Sequence, residues 1–302
     1  MADMDLPTAP EVIETLRRRA GGDLGYPVWL TDPNAGPLAE AFAERMAAKY
    51  GWQPDPSHVR SFSDLNQALQ VLLQIWTEPG DGIALHTPAY HPFLTTLELM
   101  DRPLRPIQLE PVADSWRFTV PDLSGCRALL LVNPHNPTGR VFTRAELTEL
   151  AEHAERHDLL VIADEIHADL VYEPHRHIPF ATILPERTVT LTSATKAFNL
   201  GGIRCSVAHF GHRGVRKALE AQPPSCTAPR TCSASRPRSR PGGTGTPGWR
   251  RPWPCSTATG ARSPSGCPGH SATGCPRRRT WPGCTWAGRA WRRCSSARPG
   301  SG

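Results

Sequence analysis

Residues 126–139 read CRALLLVNPHNPTG. Ala128–Val132 is an unbroken apolar run that stops at an Asn/Pro/Gly loop. Such a run is buried on both faces, which a strand in a parallel sheet covered by helices requires. Working outward, TRAELTELAEHAERHD (143–158) opens with Thr143 and Glu146 three residues on. That spacing is a capping box, and it predicts a helix to about His157. LLVIAD (159–164), IHADLVYE (166–173) and TVTLTS (188–193) follow, the first and last read as strands, leading into ATKAFNLGG. Upstream, helical periodicity covers Glu11–Ala20, Pro37–Tyr50 and Asp64–Trp76, the last with a stripe of Leu65, Leu69, Leu72 and Leu73. A short strand is expected at Ile83–His86 and a helix at Pro92–Met100. Strand–helix–strand repetition predicts an α/β domain, three-layered, with a mostly parallel sheet.

The composition divides the chain. From Ala221 to the end, 82 residues contain no Leu, Ile, Val, Phe, Met, Tyr, Asp, Glu, Lys or Asn, but hold 14 Arg, 7 of the 9 Cys and 5 of the 9 Trp. All 28 acidic residues therefore lie before Ala221 beside 20 Lys+Arg, giving that part a net charge of −8. The overall charge of +6 is a property of the tail, so it does not argue for nucleic-acid binding by the α/β part. No stretch approaches the roughly 20 apolar residues of a membrane span, and the acidic N-terminus lacks a secretory signal's apolar core. Cys126 and Cys205, far apart, suit a reduced cytoplasmic setting. The histidines His135, His153, His157, His175 and His177 read as solvated and form no zinc-ligand spacing. A nicotinamide site is excluded in the usual form, since no G-x-G-x-x-G follows a first strand.

Three loops that follow strands carry chemistry: Asn133–Gly139, Asp164–His167 and Ser193–Asn199. Open parallel sheets place ligands at these strand ends. A lysine there, Lys196, is desolvated and suited to a Schiff base with an aldehyde cofactor. An aspartate, Asp164, could hold a pyridinium nitrogen protonated.

The ordered set N-P-T-G with Asn136, Asp164 with His167 three on, Ser193 with Lys196, and Arg204 eight after the lysine resembles fold-type I pyridoxal-phosphate enzymes. That is the class I/II aminotransferase superfamily, and residues 1–219 resemble its large domain. ADMDL (2–6), GYP (25–27) and DEIHADL (164–170) resemble its cystathionine β-lyase-like C–S lyase branch. The resemblance implies pyridoxal 5′-phosphate as cofactor and Lys196 as Schiff-base lysine and proton carrier. It implies Asp164 on the pyridine nitrogen, Asn136 and His167 on O3′, and Ser193 and Arg204 on the phosphate. Tyr90 would stack on the ring, and Ser63, Asp64 and Leu65 would open a phosphate-binding helix. Tyr26 would reach the phosphate of a neighbouring subunit, which implies a homodimer. The implied reaction is α,β-elimination from an L-cysteine S-conjugate or cystathionine, giving thiol, pyruvate and ammonia. An aminotransferase on the same scaffold is the alternative. A non-catalytic protein with a nucleic-acid-binding basic tail is a third reading, of another class.

The organisation expected is an N-terminal arm (1–36), a cofactor-binding large domain (37–220) and a disordered Arg/Pro/Gly/Cys-rich tail (221–302). The family's small domain, with its carboxylate-binding arginine, is missing from the reading. A shifted reading frame accounts for the tail: GCPRRRTWPG (274–283), regrouped by one nucleotide, permits LPPATYLAWL, a family-like segment. No membrane and no nucleic-acid partner are expected.

Overall fold

The computed structural model describes residues 4–22, 36–113 and 115–223. Tyr26 and the tail beyond Pro223 lie outside them, so the readings of those positions are proposals. The helices are α1 (Pro10–Ala20), α2 (Pro37–Tyr50), α3 (Leu65–Trp76), α4 (His91–Leu99), α5 (Arg144–Arg156) and α6 (Arg213–Glu220). Seven strands make the main sheet: β1 (Val59–Phe62), β2 (Gly82–Thr87), β3 (Leu104–Gln108), β6 (Cys126–Val132), β7 (Leu160–Asp164), β8 (Thr188–Thr192) and β9 (Ser206–Phe210). β4 (Glu110–Val112) and β5 (Ser115–Arg117) pair as a separate antiparallel hairpin.

The sheet order is β1-β9-β8-β7-β6-β2-β3. β3, β2, β6, β7 and β8 run parallel, while β9 is antiparallel to β8 and β1. Side chains alternate between faces along each strand. Ala128, Leu130 and Val132 of β6 therefore join α3, α4 and α6 through Leu69, Leu72, Phe93, Leu97 and Val215. Leu129 and Leu131 enter the opposite layer with Phe142, Phe180 and α5's Leu147, Leu150 and Ala154. This two-sided burial is the reason β6 is apolar throughout, and it yields the three-layer α/β domain. The capping box of α5 forms as its spacing requires: Thr143 Oγ1 accepts from Glu146 N–H at 3.3 Å, and Glu146 Oε2 accepts from Thr143 N–H at 2.9 Å.

Leu130 is fully buried between β2 and β7. Truncating it (L130A) is expected to cost about 2–5 kcal/mol, as deletions in close-packed cores do. Urea unfolding reads this as a lower midpoint at unchanged slope. Among the described residues no helix is long and apolar enough to cross a membrane. No group of three or more His, Cys, Asp or Glu among them could hold a metal ion.

Candidate functional site

β6, β7 and β8 are parallel neighbours, so their C-terminal ends deliver three loops to one edge of the sheet. Asp164 is the last residue of β7 and is buried. Its Oδ1 accepts from Ile166 N–H at 3.0 Å. Burial pushes this carboxyl up to about 7, the Glu165 charge adds to the rise, and the Ile166 N–H and the Lys196 charge pull the other way. His167 follows in a turn where burial, then the Lys196 charge, hold its ring below the usual value. Lys196 is half-buried in the turn after β8. The Lys196 charge thus acts on both Asp164 and His167 although 32 residues separate Asp164 from Lys196. Asn136 sits half-buried on the loop after β6, the adjoining strand.

A second group lies together around the start of α3. Asp64 is its N-cap, with Oδ1 accepting from Gln67 N–H at 2.9 Å. Ser63 N–H donates to Gln67 Oε1 at 2.7 Å. Arg204 Nη2 donates to Asp64 Oδ2 and forms an ion pair with it. Next to Arg204, the Cys205 carbonyl accepts from Ser193 Oγ at 2.6 Å. Ser63, Asp64, Ser193 and Arg204 are therefore linked as a set, with Leu65 opening the helix. In this state the Arg204 charge and the Ser193 hydroxyl are engaged by the chain's own oxygens. Tyr90 is the N-cap residue of α4 after β2; the residue is 41% exposed, and its ring is edge-on to Phe93 at a centroid distance of 5.2 Å.

Several residues of consequence had no clear sequence signal. Asn199, at φ 53° in the lysine loop, donates through Nδ2 to the carbonyls of Met4 (3.0 Å) and Leu6 (2.7 Å), and its Oδ1 accepts from Met4 N–H. It straps the ADMDL segment to the loop that carries Lys196. His135 and His177, read from sequence as solvated, are buried. His135 packs beside His86 and Phe142, and His177 Nε2 lies 3.0 Å from Glu165 Oε2.

The donor set fits pyridoxal phosphate at its ring end. It offers a desolvated carboxylate with one backbone donor, a lysine, an imidazole and an amide at neighbouring strand ends. At the phosphate end it offers a guanidinium, a hydroxyl and a helix start.

Residues 3–235 match the family model "Aminotransferase class I and II". The protein MalY of Escherichia coli is 35% identical over 214 residues, covering 66% of this chain and 52% of MalY. The cystathionine beta-lyase PatB of Bacillus subtilis is 31% identical over 231 residues, 73% of this chain and 58% of PatB. Among solved structures, cystalysin from Treponema denticola, which contains a pyridoxal 5′-phosphate cofactor, superposes with a TM-score of 0.67 at 26% identity. That match covers 72% of this chain and 57% of cystalysin. The chain belongs to the aminotransferase class I and II family, a pyridoxal-phosphate-dependent family with the fold-type I architecture seen here. It spans a little over half the length of these relatives.

Proposed function

We propose that residues 37–220 are the cofactor-binding large domain of a pyridoxal-phosphate C–S β-lyase acting on an L-cysteine S-conjugate or cystathionine. The convergence of Asp164, His167 and Lys196 at the ends of β7 and β8 carries this reading. The name of PatB, a cystathionine beta-lyase, supports the branch. Bound there, pyridoxal phosphate supplies an electron sink that acidifies the Cα–H of an amino acid. Asp164 would hold a proton on the ring nitrogen through its desolvated carboxylate. Asn136 and His167 would donate to the ring oxygen, and Tyr90 would cover the ring. Arg204, Ser193 and the start of α3 at Ser63, Asp64 and Leu65 would hold the phosphate, joined by Tyr26 of a partner subunit in a homodimer. Lys196 Nζ would take the Cα proton as the Cβ–S bond breaks and thiolate leaves. Water then releases pyruvate and ammonia, so the atoms of substrate and water are all accounted for.

The family also contains aminotransferases, and an amino-group transfer on the same residues is the second reading. Purified protein with pyridoxal phosphate is expected to show a visible absorbance band that Lys196→Ala abolishes, the signature of lysine-bound cofactor. Pyruvate formed from L-cystathionine with no keto-acid acceptor supports the lyase, and strict dependence on an acceptor supports the aminotransferase. A wild-type spectrum identical to that of K196A sinks both. For residues 221–302 we propose the shifted frame, which sequencing the gene decides.

A further inference from the structure

Glu165 has no part in the proposed chemistry, yet it is held by several elements beside the site. It follows Asp164 directly and is 3% exposed. Its N–H donates to Leu191 O of β8 at 2.8 Å, and its carbonyl accepts from Ala168 N–H (3.0 Å) and Thr192 Oγ1 (3.3 Å). Its carboxylate accepts from Phe180 N–H at 2.8 Å and faces His177 Nε2 at 3.0 Å. One residue therefore joins the end of β7, the end of β8, the turn that carries His167 and the segment 177–180. His177 is 7% exposed, and its Nδ1 is buried with no hydrogen-bond partner. A carboxylate and imidazole this deeply desolvated are costly to bury unless each satisfies the other.

We propose that Glu165, held by His177, is a positioning residue that fixes the strand end presenting Asp164 and His167 and places a second carboxyl directly behind Asp164. The inference rests on the cofactor reading of Asp164 given above. The two carboxyls are sequence neighbours in a desolvated place, and the Glu165 charge opposes ionisation of Asp164. Removing that charge while keeping the shape should let Asp164 ionise at lower pH. The other groups around the pair are few. The Lys196 charge acts on Asp164. The Tyr50 ring meets His177 edge-on at 5.3 Å, with its hydroxyl on Asp169. Lys49, Arg144, Glu173, His175 and Arg176 line the cavity that His177 borders. Of these, Asp169 is already paired with Arg45 and Lys49.

E165Q is the decisive variant. A glutamine can accept from Phe180 N–H and donate to the His177 ring, so the clamp survives without its charge. The probe is the full-length, cofactor-free protein with 13C-labelled aspartate carboxyls, and the Asp164 resonance is assigned by its loss in D164N. The titration midpoint of Asp164 is expected to fall by at least about 0.5 pH unit in E165Q, the size of a neighbouring-charge effect. H177L, which removes the clamp, is expected to weaken pyridoxal-phosphate binding about tenfold or more, and H177Q to restore most of it. A midpoint unmoved or raised in E165Q, or equal binding by H177L and wild type, overturns the proposal. Absence of the Lys196-dependent band in wild type overturns the cofactor reading instead, while the carboxyl titration still decides the role of Glu165.

Discussion

Acidification from pH 7 to pH 5 is expected to cost the folded chain at least about 4 kcal/mol, mainly through three buried histidines, with the lowered His58, His153, His167 and His212 adding to the loss. Burial holds His86 at about 3 and His135 and His209 at about 4, with neighbouring His or Arg charges adding to the fall in each. His86 is fully buried between Phe118, Phe142 and His135, and neither of its ring nitrogens has a hydrogen-bond partner among the described residues. His209 sits among Phe42, Trp52 and His58 and is likewise unpartnered. In the unfolded chain each ring takes up a proton near its ordinary value of about 6.5. The folded state refuses that proton, so the stability these residues allow is complete above about pH 6.5 and is lost as pH falls toward 4. At pH 5 the loss is about 2 kcal/mol per ring, or about 6 kcal/mol for three.

Asp164 moves the other way. Its raised carboxyl favours the protonated folded state, which offsets about 2 kcal/mol over the same interval. The lowered carboxylates, such as Glu146 and Asp169, act only below the range considered. Against a total of roughly 5–15 kcal/mol for a domain, the net loss is large. Urea unfolding at pH 7 and pH 5 measures it. H86F replaces the imidazole by an apolar ring in an aromatic cage and should remove about 2 kcal/mol of the difference. An unchanged difference in H86F rules out His86 as a cause.

The same burial explains which parts of the molecule were legible in the sequence. β6 and β7 were, because a strand covered by helices on both faces is apolar at nearly every position, as CRALLLV and LVIAD are. α3 and α5 were, because the Leu65–Leu73 stripe and the Thr143–Glu146 box are local patterns. β1 and β9 were not. VRSF and SVAHF carry Arg60, Ser61 and His209 into buried positions, so their runs are broken by polar residues. Arg60 is tolerated there because its Nη1 donates to the carbonyls of Ser57 and Val59. Nor does an antiparallel β9 follow from strand–helix repetition. The motif residues Asp164, Lys196, Asn136 and Arg204 were legible as an ordered set, but the Asp64–Arg204 pair was not, since 140 residues separate its members. His177 was misread for a similar reason: its partner Glu165 comes from another segment, and only the fold makes a buried imidazole affordable.

Replacing Asp164 by asparagine is expected to stabilise the cofactor-free protein at pH 8 while lowering the proposed β-elimination about a hundred- to a thousandfold, as losses of a preorganised electrostatic group do. With a folded-state value of about 7 against an ordinary 3.8, the stability associated with protonated Asp164 is full below about pH 4. It is lost as pH rises through 7, and above that the deficit is about 4 kcal/mol. In D164N the amide oxygen still accepts from Ile166 N–H, which now donates to Oδ1 at 3.0 Å. An amide N–H group left there without an acceptor costs about 1–3 kcal/mol. The net gain at pH 8 is therefore about 1–3 kcal/mol, and it should vanish or reverse at pH 5, where wild-type Asp164 is already neutral. Thermal melts of both proteins at the two pH values test this. Equal stability at pH 8 would show that the carboxylate is better solvated than its burial implies, and its role at a ring nitrogen would then lack its electrostatic basis. A gain at pH 8 together with lost elimination identifies Asp164 as a charge kept at a cost to the fold, which a protonated ring nitrogen would relieve on binding.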